Sequence, residues 1–298
     1  MTKLTRFLTV PGKSKTFLRL LGLVLLLTAA PGPARAQTRA AATPLCLGET
    51  FTLASKVLGE TRRLNVYVPP VYRDSATVRL PVLYMPDGGL AEDFLHVAGL
   101  VQVLVANGTM RPFILVGIEN TQRRRDLTGP TTNADDKKIA PRVGGSAAFR
   151  QFIRRELMPA VHQLYRTTPE TALMGESLAG LFTVETLLLE PDLFDTYLAF
   201  DPSLWWNSGQ LIKQAQDLLG TYHGSTSSST KTLYLATSSQ GDTAATARLA
   251  RLSQWLPQAK ITAYYEPMPA ETHATIYHPA ALRGLRLVLK PLATRPAK

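Results

Sequence analysis

From Leu80 to the C-terminus the chain alternates between two apolar rhythms. Short, almost wholly apolar runs recur at Leu80–Met85, Phe113–Ile118, Thr171–Met174, Asp195–Phe200, Thr232–Thr237 and Ile261–Tyr265. Between them lie longer stretches in which apolar residues return every three or four positions. A short run with no polar alternation predicts a strand buried on both faces, whereas the longer period predicts a helix with one inward side. The helices expected are Leu90–Ala106, carrying Phe94, Val97, Leu100, Val101 and Leu104 inward, and Ser146–Tyr165, carrying Phe149, Phe152, Ile153, Leu157, Val161 and Leu164. Further helices are expected after Ser177, over Gln210–Leu219, over Thr243–Trp255 and from about Pro279 to Pro291. Pro159 lies inside the second and predicts a kink there.

Strand and helix in strict alternation imply a mostly parallel central sheet with helices on both faces, an α/β fold. Ahead of it, Thr50–Leu58 and Arg63–Val68 alternate in polarity around Gly59-Glu60-Thr61 and predict an antiparallel hairpin at the N-terminal edge of the sheet. No repeat or linker interrupts the pattern after residue 47, so one domain is expected over residues 48–298. Two stretches break the rhythm. Glu119–Gly145 is a long polar loop containing Arg123-Arg124-Arg125-Asp126, and a loop of that length inside a domain usually carries function or is disordered. Gly220–Thr230 is a Gly/Ser/Thr surface loop carrying His223.

Residues 1–36 differ from the rest. Lys3, Arg6, Lys13, Lys15 and Arg19 precede the apolar run Leu20–Ala30, and Pro31-Gly32-Pro33 leads to the small-x-small site Ala34-Arg35-Ala36. That order predicts a secretory signal cleaved after Ala36, and hence a secreted or periplasmic protein. The apolar run is short for a membrane span, so no membrane attachment is expected after cleavage. An Ala/Thr/Pro-rich leader follows over residues 37–47. The formal charge of +11 shrinks once the signal is set aside: the 33 basic residues less the six in residues 1–36 leave 27 against 22 acidic ones, a net of +5. A domain that mildly basic, with no basic helix interleaved with aromatics, gives no reason to expect nucleic acid as a partner. Cys46 is the single cysteine, so no intramolecular disulfide can form and the core alone must hold the fold.

The stretch on which the chemistry turns is Gly175-Glu176-Ser177-Leu178-Ala179-Gly180, set between a predicted strand and a predicted helix. A serine at the apex of so sharp a turn takes strained backbone angles that lift its hydroxyl off the sheet edge. Small residues two before and two after it let strand and helix pass closely. Ala179 stands where a second glycine is usual, with Gly180 one place later. The amide of Leu178 opens the helix and can stabilise a developing negative charge. Gly88-Gly89, after the Leu80–Met85 strand, can turn a backbone amide toward the same point.

A serine hydroxyl needs an imidazole to take its proton and a carboxylate to fix that imidazole's tautomer. Reactive groups in a parallel sheet gather at the carboxyl ends of the strands. His273, after the last strand, is the candidate base. Asp242, after the Thr232–Thr237 strand, is the first candidate for the acid, with Asp201 at the end of the preceding strand its geometric rival. Glu266 and Glu271 are weaker candidates, and a Ser–His dyad is the remaining option. Asp242 could equally cap the helix that Gly241-Asp242-Thr243 opens. His96 and His162 sit on predicted helices as packing or surface residues. His278 lies five residues from His273, a spacing that matches no recognised metal pattern. No metal and no cofactor are expected.

With these residues in place, the sequence resembles the esterase family that includes esterase D, feruloyl esterases and the trilactone esterases acting on enterobactin and salmochelin. The resemblance runs from about Thr50 to Leu292. It is carried by Val82–Gly89, Asn120–Thr128, Gly175–Phe182, Pro202–Asn207 and Glu271-Thr272-His273. It implies the α/β-hydrolase fold and a serine carboxylic ester hydrolase with Ser177 and His273 catalytic, and an oxyanion hole near Gly89 and Leu178. It also implies that Arg123 and Arg125 line the substrate side and that Trp205 lies near the site. Ala179 for glycine and Asp201 where the family usually has serine are departures, and members of the trilactone branch can lack a well-placed acid. A guanidinium beside the pocket would suit an anionic ester such as a ferric catecholate siderophore. Acyl transfer to an alcohol and a catalytically silent ligand-binding protein are the alternative readings.

Overall fold

Apolar strands that leave no polar face must be covered on both sides, and the computed structural model shows how this chain does so. It describes residues 42–139, 142–221, 230–255 and 260–292. The expected signal, the first part of the leader and most of the loop carrying His223 lie outside the described residues. From Leu47 onward the contacts group into one compact unit.

The strands are β1 (Glu49–Ser55), β2 (Glu60–Tyr67), β3 (Leu80–Pro86), β4 (Ile114–Ile118), β5 (Thr167–Glu176), β6 (Thr196–Phe200), β7 (Lys231–Ser238) and β8 (Ile261–Met268). They form one sheet in the order β1-β2-β4-β3-β5-β6-β7-β8. β1, β2 and β4 pair antiparallel, and every pairing from β4 through β8 is parallel. The hairpin edge and the parallel body expected from the sequence are both present.

The helices are α1 (Pro70–Asp74), α2 (Phe94–Ala106), α3 (Arg123–Leu127), α4 (Ala134–Ile139), α5 (Ser146–Phe152), α6 (Met158–Leu164), α7 (Leu178–Leu189), α8 (Trp206–Thr221), α9 (Thr243–Trp255) and α10 (Tyr277–Val288). Successive strand residues point to opposite faces, so the core divides in two. Leu83 and Met85 join Phe94, Val97 and Val101 of α2 and Ala281 and Leu285 of α10. Val82 and Tyr84 join Phe149, Phe152, Phe182 and Leu187 on the other side. Helix α7 is buried from Leu178 to Leu188, as a helix must be that is covered on every side.

Two departures from the expected pattern have local causes. The Ser146–Tyr165 segment is divided by a π-helical turn at Ile153–Leu157, ahead of Pro159, and Pro159 then occupies the first turn of α6, where its missing N–H costs nothing. The turn presents Glu156 to the hairpin, where its carboxylate accepts from the amides of Lys56 and Val57 at 2.9 and 3.1 Å. The Glu119–Gly145 loop contains α3 and α4, too short to leave an apolar period in the sequence. In α8, Asn207, Ser208 and Gly209 take left-handed backbone angles, so the regular helix starts after them.

Candidate active site

The nucleophile elbow forms where β5 meets α7. Ser177 has φ 59° and ψ −118°, the strained conformation expected of it. An added Cβ on Gly175 would lie 2.6 Å from both the backbone carbonyl carbon and the Cβ of Ala179, so only glycine fits at 175. Ala179 is therefore accommodated without opening the turn. Gly180 lets α7 pass the end of β6, with an added Cβ only 3.0 Å from the Phe200 carbonyl oxygen.

At the carboxyl end of the sheet three side chains line up. Ser177 Oγ lies 2.9 Å from His273 Nε2, and His273 Nδ1 lies 2.7 Å from Asp201 Oδ2. His273 comes from the loop after β8. Its backbone amide donates to Gln240 Oε1 at 2.9 Å, which ties that loop to the one after β7. His273 itself is exposed, open to a substrate, while the Asp201 side chain is fully buried.

The carboxylate at the imidazole is thus Asp201 rather than Asp242. Asp242 Oδ1 accepts the amide of Ala245 at 2.9 Å and caps α9, the structural role open to it from sequence. The room it would have needed is taken. Asp201 reaches across the end of β7, accepting from the Ser238 amide at 3.0 Å and the Ser238 hydroxyl at 2.7 Å. Gly241 clears the space, since an added Cβ there would sit 1.8 Å from Asp201 Oδ1. Glu266 accepts from the Tyr234 hydroxyl at 2.7 Å, and Glu271 from the Thr275 hydroxyl at 2.7 Å, so neither serves His273. Sequence reasoning also passed over Ser203. It is buried, its Oγ lies 3.4 Å from Ser177 Oγ, and its amide donates to the Ser177 carbonyl at 3.0 Å.

The backbone donors near Ser177 are unequal. The Leu178 amide opens α7, where no acceptor within the helix can reach it. The Gly88 amide donates to the Ile118 carbonyl at 3.0 Å, so it cannot also serve an oxyanion. What requires glycine at 88 is packing: an added Cβ would lie 2.3 Å from the Gly117 backbone. The Gly89 amide donates to Glu92 Oε2 at 2.7 Å while the Glu92 amide donates to the Gly89 carbonyl at 3.0 Å, closing a tight turn. Gly89 therefore meets a substrate oxygen only in competition with the Glu92 carboxylate.

The two arginines also separate. Arg123 grips Asp87 with both arms of its guanidinium, at 2.7 and 2.8 Å. Arg125 is held by a different set of carboxylates. It binds Glu60 and Asp126, the latter shared with fully buried Arg62, and so braces α3 against β2. Its hydrogen bond holds the Glu60 carboxyl down at about 2. Trp205 is half exposed two residues past Ser203, with Trp206 tilted against it and anchored by a 2.9 Å bond to the Gly129 carbonyl. Among the described residues no group of three or more His, Cys, Asp or Glu is placed to hold a metal ion, and no helix is long and apolar enough to cross a membrane.

A serine on a strained elbow, an imidazole and a buried carboxylate at the carboxyl end of a mostly parallel eight-stranded sheet define the α/β-hydrolase class. Within that class, the family model described as "Putative esterase" matches residues 55–280, and the chain belongs to that family. It is 28% identical over 169 residues to the ferri-bacillibactin esterase BesA of Bacillus subtilis, covering 52% of this chain and 58% of that one. It is 32% identical over 197 residues to the siderophore triacetylfusarinine C esterase of Aspergillus fumigatus, covering 60% and 63%. The matches thus span about three-fifths of these curated relatives. Among solved structures, an IroE-like serine hydrolase from Shewanella oneidensis superposes with a TM-score of 0.70 at 28% identity, covering 81% of this chain and 80% of the other.

Proposed function

We propose that the protein is a serine carboxylic ester hydrolase acting through an acyl-enzyme on siderophore-type esters. The observation that carries this reading is the unbroken line from Ser177 Oγ through His273 to Asp201, with contacts of 2.9 and 2.7 Å. His273 Nε2 takes the hydroxyl proton as Ser177 Oγ attacks the ester carbonyl carbon. Asp201 holds Nδ1–H and stabilises the imidazolium that results. The Leu178 amide faces the tetrahedral oxyanion, joined by that of Gly89 when Glu92 gives it up. Collapse passes the proton from Nε2 to the departing alkoxide and leaves Ser177 acylated. Water, deprotonated by the same imidazole, then releases the acid.

The siderophore reading draws on relatives named for ferri-bacillibactin and triacetylfusarinine C. It does not draw on the arginines, because both meet carboxylates, so a strongly anionic substrate gains no unpaired guanidinium from them. Trp205 offers an aromatic wall to the acyl or alcohol group. Residues 1–36 support export of the mature domain before it acts. The test is turnover of short p-nitrophenyl esters and of siderophore trilactone, hydroxamate and feruloyl esters by the purified mature chain and its Ser177→Ala variant. Hydrolysis by the parent and none by the variant, at equal Tm, is expected. Equal turnover by both would overturn the proposal.

A further inference from the structure

Glu176, the residue between Gly175 and Ser177 in the elbow, is not accounted for by the triad. Its side chain is 14% exposed, and Oε1 is buried without a hydrogen-bond partner. That oxygen lies 3.3 Å from His273 Nε2, the nitrogen that also faces Ser177 Oγ at 2.9 Å. Two carboxylates therefore flank one imidazole: Asp201 at Nδ1, fully hydrogen-bonded, and Glu176 at Nε2, with an oxygen to spare. A buried carboxylate oxygen with no donor is costly. A proton shared between Oε1 and Nε2 relieves that cost.

We propose that Glu176 is a positioning residue for the catalytic imidazole, sharing a proton with His273 Nε2 and so setting the pH at which His273 becomes free to act as a base. The proposal rests on the assignment of Ser177 and His273 given above. With one proton on the pair, whether on carboxyl or imidazole, that proton lies between Oε1 and Nε2 and occupies the lone pair that must receive the Ser177 proton. Only loss of the shared proton gives the active base.

The groups that face Glu176 are His273 from the loop after β8, Arg123 from α3, Asp201 after β6, Asp87 after β3 and the Tyr277 hydroxyl at the start of α10. Burial is the largest influence and raises the Glu176 carboxyl to about 7, the acids adding to it and His273 and Arg123 opposing it. Arg123 opposes only in part, because its guanidinium is already bound to Asp87.

The test is the pH dependence of kcat/KM for p-nitrophenyl acetate in the parent, Glu176→Gln and Glu176→Asp. The acid limb is expected to fall by about one pH unit or more in the glutamine variant and to stay near the parent in the aspartate variant. A glutamine limb that coincides with the parent's, or moves up, overturns the proposal. A second measurement needs neither turnover nor a variant. In the parent, the Glu176 carboxyl carbon and the His273 ring nitrogens, followed by NMR, are expected to inflect at one common midpoint. A Glu176 carboxyl with a single inflection near the ordinary value of about 4.3 overturns the proposal. Loss of Ser177-dependent hydrolysis would strike the esterase assignment instead, leaving the NMR titration to decide the role of Glu176.

Discussion

At the scale of single residues, the carboxylate that meets His273 follows β6 because the loop after β7 has room and donors to receive it. Ser238 donates twice to Asp201, and Gly241 leaves clear the space in which Oδ1 lies. Asp201→Asn should therefore lower kcat by about 10³- to 10⁴-fold, since an amide cannot hold the imidazole in the required tautomer. Asp242→Asn should leave kcat close to the parent and cost no more than a helix cap, about 1 kcal/mol. Parallel steady-state kinetics and thermal melts of the two variants separate the roles, and the reverse ranking would restore Asp242. Gly241→Ala should resemble Asp201→Asn in kcat, because its methyl and the carboxylate cannot coexist; parent-like kcat would show that Asp201 has another seat. That Ser177 and His273 meet was legible in the sequence because both follow strand ends on the same edge of the sheet. Asp201 was legible only as a rival. Which of two strand-end carboxylates meets the imidazole depends on loop paths, and Gly241 carries no meaning until those paths are known.

At the scale of elements, the two glycines after β3 divide the work. Gly88 brings that turn within contact of β4, and its amide completes the ladder to Ile118. Gly88→Ala should destabilise by about 2–3 kcal/mol through overpacking against rigid backbone. In Gly89→Ala the new methyl meets the tip of Glu92, a flexible side chain 2.8 Å away, so the loss in Tm should be much smaller. A thermal melt of each checks the ranking, and equal losses would contradict it. The apolar rhythm disclosed the strands and the long helices because burial on both faces leaves so plain a trace. It concealed α3, α4 and the π-helical turn. Those elements are held by ion pairs and capping contacts, which follow no hydrophobic period.

Across the whole molecule, the edge that carries the hairpin is fastened to the site loop by charge. Glu60, Arg125, Asp126 and Arg62 form one network joining β2 to α3, the helix that also supplies Arg123. The hydrogen bond from Arg125 lowers the Glu60 carboxyl from 4.5 to about 2. A depressed carboxylate contributes stability that is fully present above its unfolded value and is lost as pH falls through its folded one. Acid unfolding between pH 4.5 and about 2 should accordingly be less steep in Glu60→Gln than in the parent. Identical slopes in stability against pH would show that the network contributes nothing to folding.

Ser177, activated by His273, is proposed as a nucleophile open to an incoming acyl or phosphonyl group. Intact-protein mass spectrometry after exposure to a fluorophosphonate tests it without any assumption about substrate. A single adduct is expected, mapped to Ser177 by digestion, absent from Ser177→Ala and formed far more slowly by His273→Ala. An unmodified parent chain, or an adduct that persists in Ser177→Ala, would contradict it.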